Sequence, residues 1–181
     1  MVCDRCILVV RQQLNNLGLL PNLVILGSAQ IEPSPSAVDL VEISSALHLL
    51  GFELIDNEKD RLIERIKNLI IEKVHHSDLA AEPVSFSKFL ADRLGKDYAY
   101  LSRLFSESQE TTIEKFIIQQ KVEKVKELLE YGELNLNEIA YTMGYSSSAH
   151  LSAQFKSVTG MTTSQFRDDG RLERRPIDKL I

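Results

Sequence analysis

Two thiols, Cys3 and Cys6, are the only cysteines in the chain and they form one C-x-x-C. In a cytosolic protein that spacing serves metal binding or thiol redox chemistry rather than a structural disulfide. Two thiolates three residues apart can hold a soft ion such as Cu(I) at low coordination. Zinc would need further donors from His75, His76 or a second chain. The alternatives are a ligand-free loop and a local thiol–disulfide switch, which would pin a single turn. The sequence offers no Ser/His/Asp set, no phosphate loop and no carboxylate pair with a matching pocket. An enzyme is therefore not expected, and a cysteine oxidoreductase is the one form that would remain.

The second pattern is a repeat. Leu90-Ala91-Asp92-Arg93-Leu94-Gly95 aligns with Ile139-Ala140-Tyr141-Thr142-Met143-Gly144, each with an alanine four residues before a glycine. With one residue inserted in the second turn the match continues through Leu101/Leu151, Ser102/Ser152, Phe105/Phe155, Thr112/Thr162 and Phe116/Phe166. A short helix, a glycine turn and a second helix with an apolar stripe make a helix-turn-helix. Two such units on one long helix suit a reader of duplex DNA.

The elements that must position these residues follow from caps and periodicity. Ser85 caps a helix over 86–94, and Asp97 caps the next, to about Ser108. Thr111 with Glu114 reads as a capping box for a long helix ending at Gly132, and Thr162 with Gln165 repeats it. Asn135 or Asn137 starts the fifth helix and Ser147 or Ser146 the sixth. In the first half, 4–17 reads as a helix with Ile7, Val10, Leu14 and Leu17 on one stripe. A hairpin (23–26, 29–31), a helix (37–50) and a short strand (52–55) follow. A third helix, from Asp56 to Val74, has an apolar stripe of Leu62, Ile66, Leu69 or Ile70, and Val74. That stripe is either a dimer seam or a docking face for its own domain.

Composition bounds the rest. The 181 residues are 44% hydrophobic and 26% charged, as in soluble globular proteins. The sequence has neither a membrane-length apolar run nor a signal-peptide pattern, so a cytoplasmic protein without a membrane partner is expected. The net charge is -5; residues 78–181 carry 14 Lys+Arg against 16 Asp+Glu, or -2. Phosphate neutralisation supplies much of DNA affinity, so any positive face must be local. A protein–protein adaptor with weakened or lost DNA binding is the rival reading.

Residues 85–168 resemble the DNA-binding domain of AraC/XylS-type transcription regulators, a bacterial family. The resemblance rests on Leu101-Ser102-Arg103-Leu104-Phe105, on Glu138-Ile139-Ala140-Tyr141-Thr142-Met143-Gly144-Tyr145-Ser146, and on Phe155-Lys156-Ser157-Val158-Thr159-Gly160-Met161-Thr162. It implies seven helices, two helix-turn-helix units in adjacent major grooves, duplex DNA as ligand and RNA polymerase as a partner. The family usually has glycine at Glu110, arginine at Lys121, alanine at Val125 and proline at Thr163. In the first unit, base contacts are implied on the face of Ala99, Ser102, Arg103 and Ser106. Arg103 would be the bidentate guanine reader, unless it pairs with Glu107. The second face, Ala149, Ser152, Ala153 and Lys156 with Ser147 and Ser148, offers phosphate contacts and little base readout.

Met1-Val2-Cys3-Asp4-Arg5-Cys6 resembles the M-x-C-x-x-C loop of heavy-metal-associated domains. It implies an α+β, ferredoxin-like domain over 1–56 with its first strand missing. Either the native start lies upstream, which is the reading preferred here, or another chain supplies the strand. The expected organisation is then 1–56, a connecting helix and linker over 57–84, the all-α domain 85–168, and a charged tail 169–181. Homodimerisation would run through helix 57–76, and a soft metal ion at Cys3 and Cys6 would modulate DNA binding.

Overall fold

The computed structural model describes residues 1, 3–55, 57–77, 79, 85–169 and 177. The chain divides into two compact units, Met1–Asn68 and Leu69–Ile181.

The first unit holds α1 (Asp4–Asn16), β1 (Pro21–Ile25), β2 (Ser28–Ile31), α2 (Ala37–His48) and the start of α3 (Glu58–His75). Ile7, Val10, Leu14 and Leu17 all face one core, as their spacing requires. There they meet Val24, Ile43, Leu47, Ile31 and Phe52. The strands pair antiparallel with Val24 opposite Ala29. Because a strand alternates its faces, Val24 is buried while Leu23 and Ile25 point to solvent. Gly27 takes the positive-φ corner at 78°, where an added Cβ would lie 2.1 Å from Asn68 Nδ2.

The expected strand at 52–55 does not form, and the sheet has two strands among the described residues. Gly51 turns left-handed at φ 78°, and the Phe52 amide donates back to the Leu47 carbonyl. This six-to-one bond closes the C-terminus of α2 in the Schellman manner, so Phe52 serves a helix cap rather than a ladder. The Ile55 carbonyl is also taken, by Arg61 Nε at 3.0 Å. The observed unit is thus a helix–hairpin–helix arrangement, and a ferredoxin-like sheet is not seen among the described residues.

The second unit contains the rest of α3, then α4 (Phe86–Leu94), α5 (Tyr98–Gln109), α6 (Ile113–Tyr131), α7 (Leu136–Thr142), α8 (Ser148–Thr159) and α9 (Thr163–Asp169). The described part of 85–168 therefore carries six helices rather than seven. A seventh contribution comes from the C-terminal part of α3, where Ile70, Ile71 and Val74 are buried and Lys73 lies 4.7 Å over the Phe89 ring. The boundary between the two compact units falls inside α3. Of the expected stripe on α3, Ile66, Ile70 and Val74 are buried, as are Ile63 and Ile71, while Leu62 and Leu69 are half-buried. The expected linker residues 80–84 lie outside the described residues, as does the expected 169–181 tail beyond Asp169, apart from Ile177.

Caps fix most helix starts. Ser85, Asp97, Asn135 and Ser147 each accept a backbone N–H of the following turn, and Asn135 with Glu138 completes a capping box. Thr162 and Gln165 form the expected reciprocal pair. The counterpart at α6 differs by one residue: Thr112, not Thr111, caps it by accepting from the Lys115 amide. Lys115 stands where the boxing side chain would have to be, and Glu114 instead accepts the Tyr98 hydroxyl at 2.5 Å.

Candidate nucleic-acid interface

The first helix-turn-helix is α4–α5. Gly95 ends α4 at φ 61°, and Asp97 starts α5 by accepting the Ala99 amide at 2.8 Å. Leu101, Leu104 and Phe105 then turn inward and are buried. The 3.6-residue period places Ala99, Ser102, Arg103 and Ser106 on the opposite side. There Ala99 and Arg103 are exposed, while Ser102 and Ser106 are half-buried. The Ser106 hydroxyl donates to the Ser102 carbonyl at 2.9 Å, so its oxygen keeps its acceptor capacity. Among the described residues the Arg103 guanidinium makes no ion pair with Glu107 or any other carboxylate. Its donor fork is open to a ligand. Tyr98 is half-buried, and burial first, then its bond to Glu114, push its phenol well above the ordinary value.

The second unit is α7–α8, and its turn is one residue longer. Gly144 at φ 65° permits the Tyr145 amide to reach the Ala140 carbonyl at 2.8 Å. Leu151 and Phe155 are buried, while Ala149, Ala153 and Lys156 are exposed and Ser148 and Ser152 half-buried. The Ser147 oxygen accepts the His150 amide at 3.1 Å, which leaves the first-turn N–H groups beside it open to an anion. The face is short, polar and singly charged, as its residue types predict.

Sequence reasoning missed how this second turn is braced. Lys121 on α6 donates to the Met143 carbonyl at 2.9 Å and stands 5.0 Å over the Tyr145 ring. Its ammonium is held below its usual pKa by burial. The Tyr145 hydroxyl donates to Gln154 Oε1 at 2.8 Å, and the His150 ring meets Tyr145 edge-on at 5.4 Å. Burial raises the Tyr145 phenol to about 12. The available signal was Gln154 four residues after His150, on one side of α8. His150 itself is exposed, with Nδ1 3.0 Å from Ser146 Oγ.

α6 joins the two units. Its 19 residues span about 28 Å at 1.5 Å per residue. It is stiffened by a buried Glu123–Lys126 pair at 2.6 Å. It is also held by Gln120, whose Oε1 accepts from His75 Nε2 at 2.9 Å.

Residues 90–169 match the helix-turn-helix domain family. Over 80 residues the chain is 31% identical to the Msm operon regulatory protein of Streptococcus mutans, covering 44% of this chain and 29% of that protein. It is 29% identical over 99 residues to an HTH-type transcriptional regulator of Pseudoalteromonas carrageenovora, covering 55% of each. The C-terminal domain of AraT, a response regulator from Geobacillus stearothermophilus, superposes with a TM-score of 0.54 at 22% identity. That match covers 66% of this chain and 94% of that domain, and it establishes a shared fold. These findings support the AraC-type resemblance over 90–169, and the relatives named are themselves regulators. The chain spans under a third of the Streptococcus protein and 12% of a matching Staphylococcus aureus regulator.

Cys3 and Cys6 belong to the first unit. Cys3 is the N-cap of α1, and its carbonyl accepts the Cys6 amide at 3.0 Å, which folds both thiols into one helical turn. The two Sγ atoms lie 3.6 Å apart and are half-buried. Of the other suggested donors, His75 Nε2 is engaged by Gln120. Among the described residues no group of three or more His, Cys, Asp and Glu is placed to hold a metal ion. No described helix is long and apolar enough to cross a membrane.

Proposed function

We propose that this chain is a sequence-specific, DNA-binding transcription regulator of the AraC type, acting in the cytoplasm. The observation that carries it is Arg103: a guanidinium without an ion pair among the described residues, on the outer face of α5, backed by buried Leu101, Leu104 and Phe105. Such a fork reads guanine O6 and N7. α8 supplies Ser147, Ser148, Ser152 and Lys156, a set suited to phosphate and poor in base readout. α6, about 28 Å long, approaches the ~34 Å between successive major grooves on one DNA face, so a shared duplex would bend towards the protein. RNA polymerase is the further partner this function implies.

The test is selection from a genomic fragment library at moderate salt with the full chain. Enrichment of a two-element site about one helical turn long supports the reading, and Arg103→Ala then shows which element α5 reads. A folded, monodisperse protein that enriches nothing refutes it and leaves the adaptor, whose binding to a protein would be insensitive to DNA. The near-neutral charge of 78–181, 14 cations against 16 anions, is what keeps that outcome worth scoring.

A further inference from the structure

The first turn of α8 carries a titratable side chain that the DNA reading leaves unassigned. His150 is exposed, yet its ring is held on two sides. Nδ1 lies 3.0 Å from Ser146 Oγ, and the ring meets Tyr145 edge-on at 5.4 Å. Tyr145 is fixed in turn, by Gln154 at its hydroxyl and by the Lys121 ammonium of α6, 5.0 Å from its ring. Among the described residues Nε2 has no hydrogen-bond partner, and no carboxylate pairs with the ring. The helical period sets His150 on the flank of α8, beside the outer face of Ala149 and Ala153. When the outer face of a helix enters a major groove, its flanks meet the phosphate walls.

We propose that His150 is a phosphate contact of the second helix-turn-helix, and that its protonation makes DNA affinity rise as pH falls. The inference rests on the DNA-binding reading of α8. The Ser146 hydroxyl can donate to a neutral Nδ1 or accept from a protonated one, so Nε2–H is an outward donor in both states. Protonation therefore changes the charge and leaves the contact in place. It adds a second cation to a helix whose one cation is Lys156. The charged and titratable groups around the ring are Lys121, the Tyr145 phenol and, farther along α8, Lys156. The phenol, raised to about 12 by burial, stays neutral, and neither lysine can offset a positive imidazole. A phosphate can, so it favours the charged ring, and binding takes up a proton across the histidine range of about pH 5 to 8. By linkage, affinity then increases as pH falls through that range.

The test titrates the full chain into a labelled duplex recovered by the genomic selection, and into a shuffled duplex of equal length. Fluorescence anisotropy is read from about pH 8 to about pH 6 at several salt concentrations. On both duplexes affinity should rise about three- to tenfold, and the salt dependence should steepen by about one phosphate contact at the acid end. His150→Gln keeps a donor but cannot titrate, and should flatten both trends. His75→Gln should leave both as in the parent. Parent binding that is flat with pH, a response that survives His150→Gln, one lost in His75→Gln, or one confined to the selected duplex overturns the inference and leaves the DNA reading standing. Failure of the folded parent to bind either duplex at any pH overturns the DNA reading, and the inference with it.

Discussion

In the first helix-turn-helix Leu101 and Phe105 are buried, and the Phe105 ring lies 5.7 Å from Phe116. In the second, Leu151 and Phe155 are buried, and the Phe155 ring lies 5.5 Å from Phe166. The inner faces of the two copies are thus nearly superposable in residue type and role. Their outer faces are not. α5 shows an arginine where α8 shows Ala153, and α5 turns left-handed on a glutamate where α8 does so on Gly160. The lesson is that packing dictates one set of positions in both copies, while the solvent face is free to take different chemistry. One copy is fitted for base edges and the other for backbone.

The sharpest break would come at the shared core. Phe105→Ala and Phe155→Ala each remove a fully buried ring and should cost about 3–5 kcal/mol. Urea unfolding of the two variants should show losses of similar size; a loss confined to one would mean the copies are not equivalent scaffolds. The faces come next. Arg103→Ala should weaken binding to a selected site by about 1–3 kcal/mol, or ~5–150-fold, and relax preference at one base position. Ala153→Arg should instead raise affinity for all sequences and steepen the salt dependence by about one phosphate contact. If Arg103→Ala weakens every sequence equally, Arg103 holds phosphate and the division of labour drawn here is wrong.

Both copies were legible in the sequence because their signals are local: an alanine–glycine spacing, capping residues and a 3–4 apolar stripe. The core stripe Ile7, Val10, Leu14 and Leu17 was legible for the same reason. The misreadings occurred where one residue served two candidate structures. Phe52 alternates like a strand residue but closes the cap of α2. Thr111 and Thr112 both precede α6, and only the backbone decides which caps it. Lys121 reads as a retained charge, yet its ammonium fills the carbonyl of the second turn, a contact between residues 22 apart. The C-terminal part of α3 joins the double helix-turn-helix unit across a sequence gap that periodicity does not bridge. Of the candidate site, residue types and faces were readable; whether Arg103 was spoken for by Glu107 was not, because that depends on rotamers.

A smaller effect separates the copies two residues before each capping threonine, Thr112 and Thr162. Glu110 holds φ 53°, the one non-glycine positive φ among the described residues, and Gly160 holds φ 78° at the equivalent place. A left-handed residue with a Cβ carries strain of about 1–3 kcal/mol, part of which glycine returns through its larger unfolded-state entropy. Glu110→Gly should therefore stabilise the unit by about 1 kcal/mol, and Gly160→Glu should cost about as much. Opposite signs in thermal unfolding are the expected result; a destabilised Glu110→Gly would mean that the glutamate makes a compensating contact.

The smallest expected effect reaches both copies at once, because it acts on α6. His75 Nε2 donates to Gln120, and burial, outweighing that bond, holds the imidazole below its ordinary pKa of 6.5. Folding thus favours the neutral ring, and the unfolded chain binds the extra proton. By linkage, the contribution is fully present above about pH 6.5. It declines as pH falls from there towards the lower folded value, and is level below it. His75→Gln keeps a donor for Gln120 but cannot titrate. Denaturation midpoints measured from pH 7.5 down to 5.5 should fall less in that variant than in the parent. Since α6 is common to both helix-turn-helix units, probes placed in each should report the same pH dependence. Divergent profiles would show that α6 does not transmit the change, and that the two copies are held by separate supports.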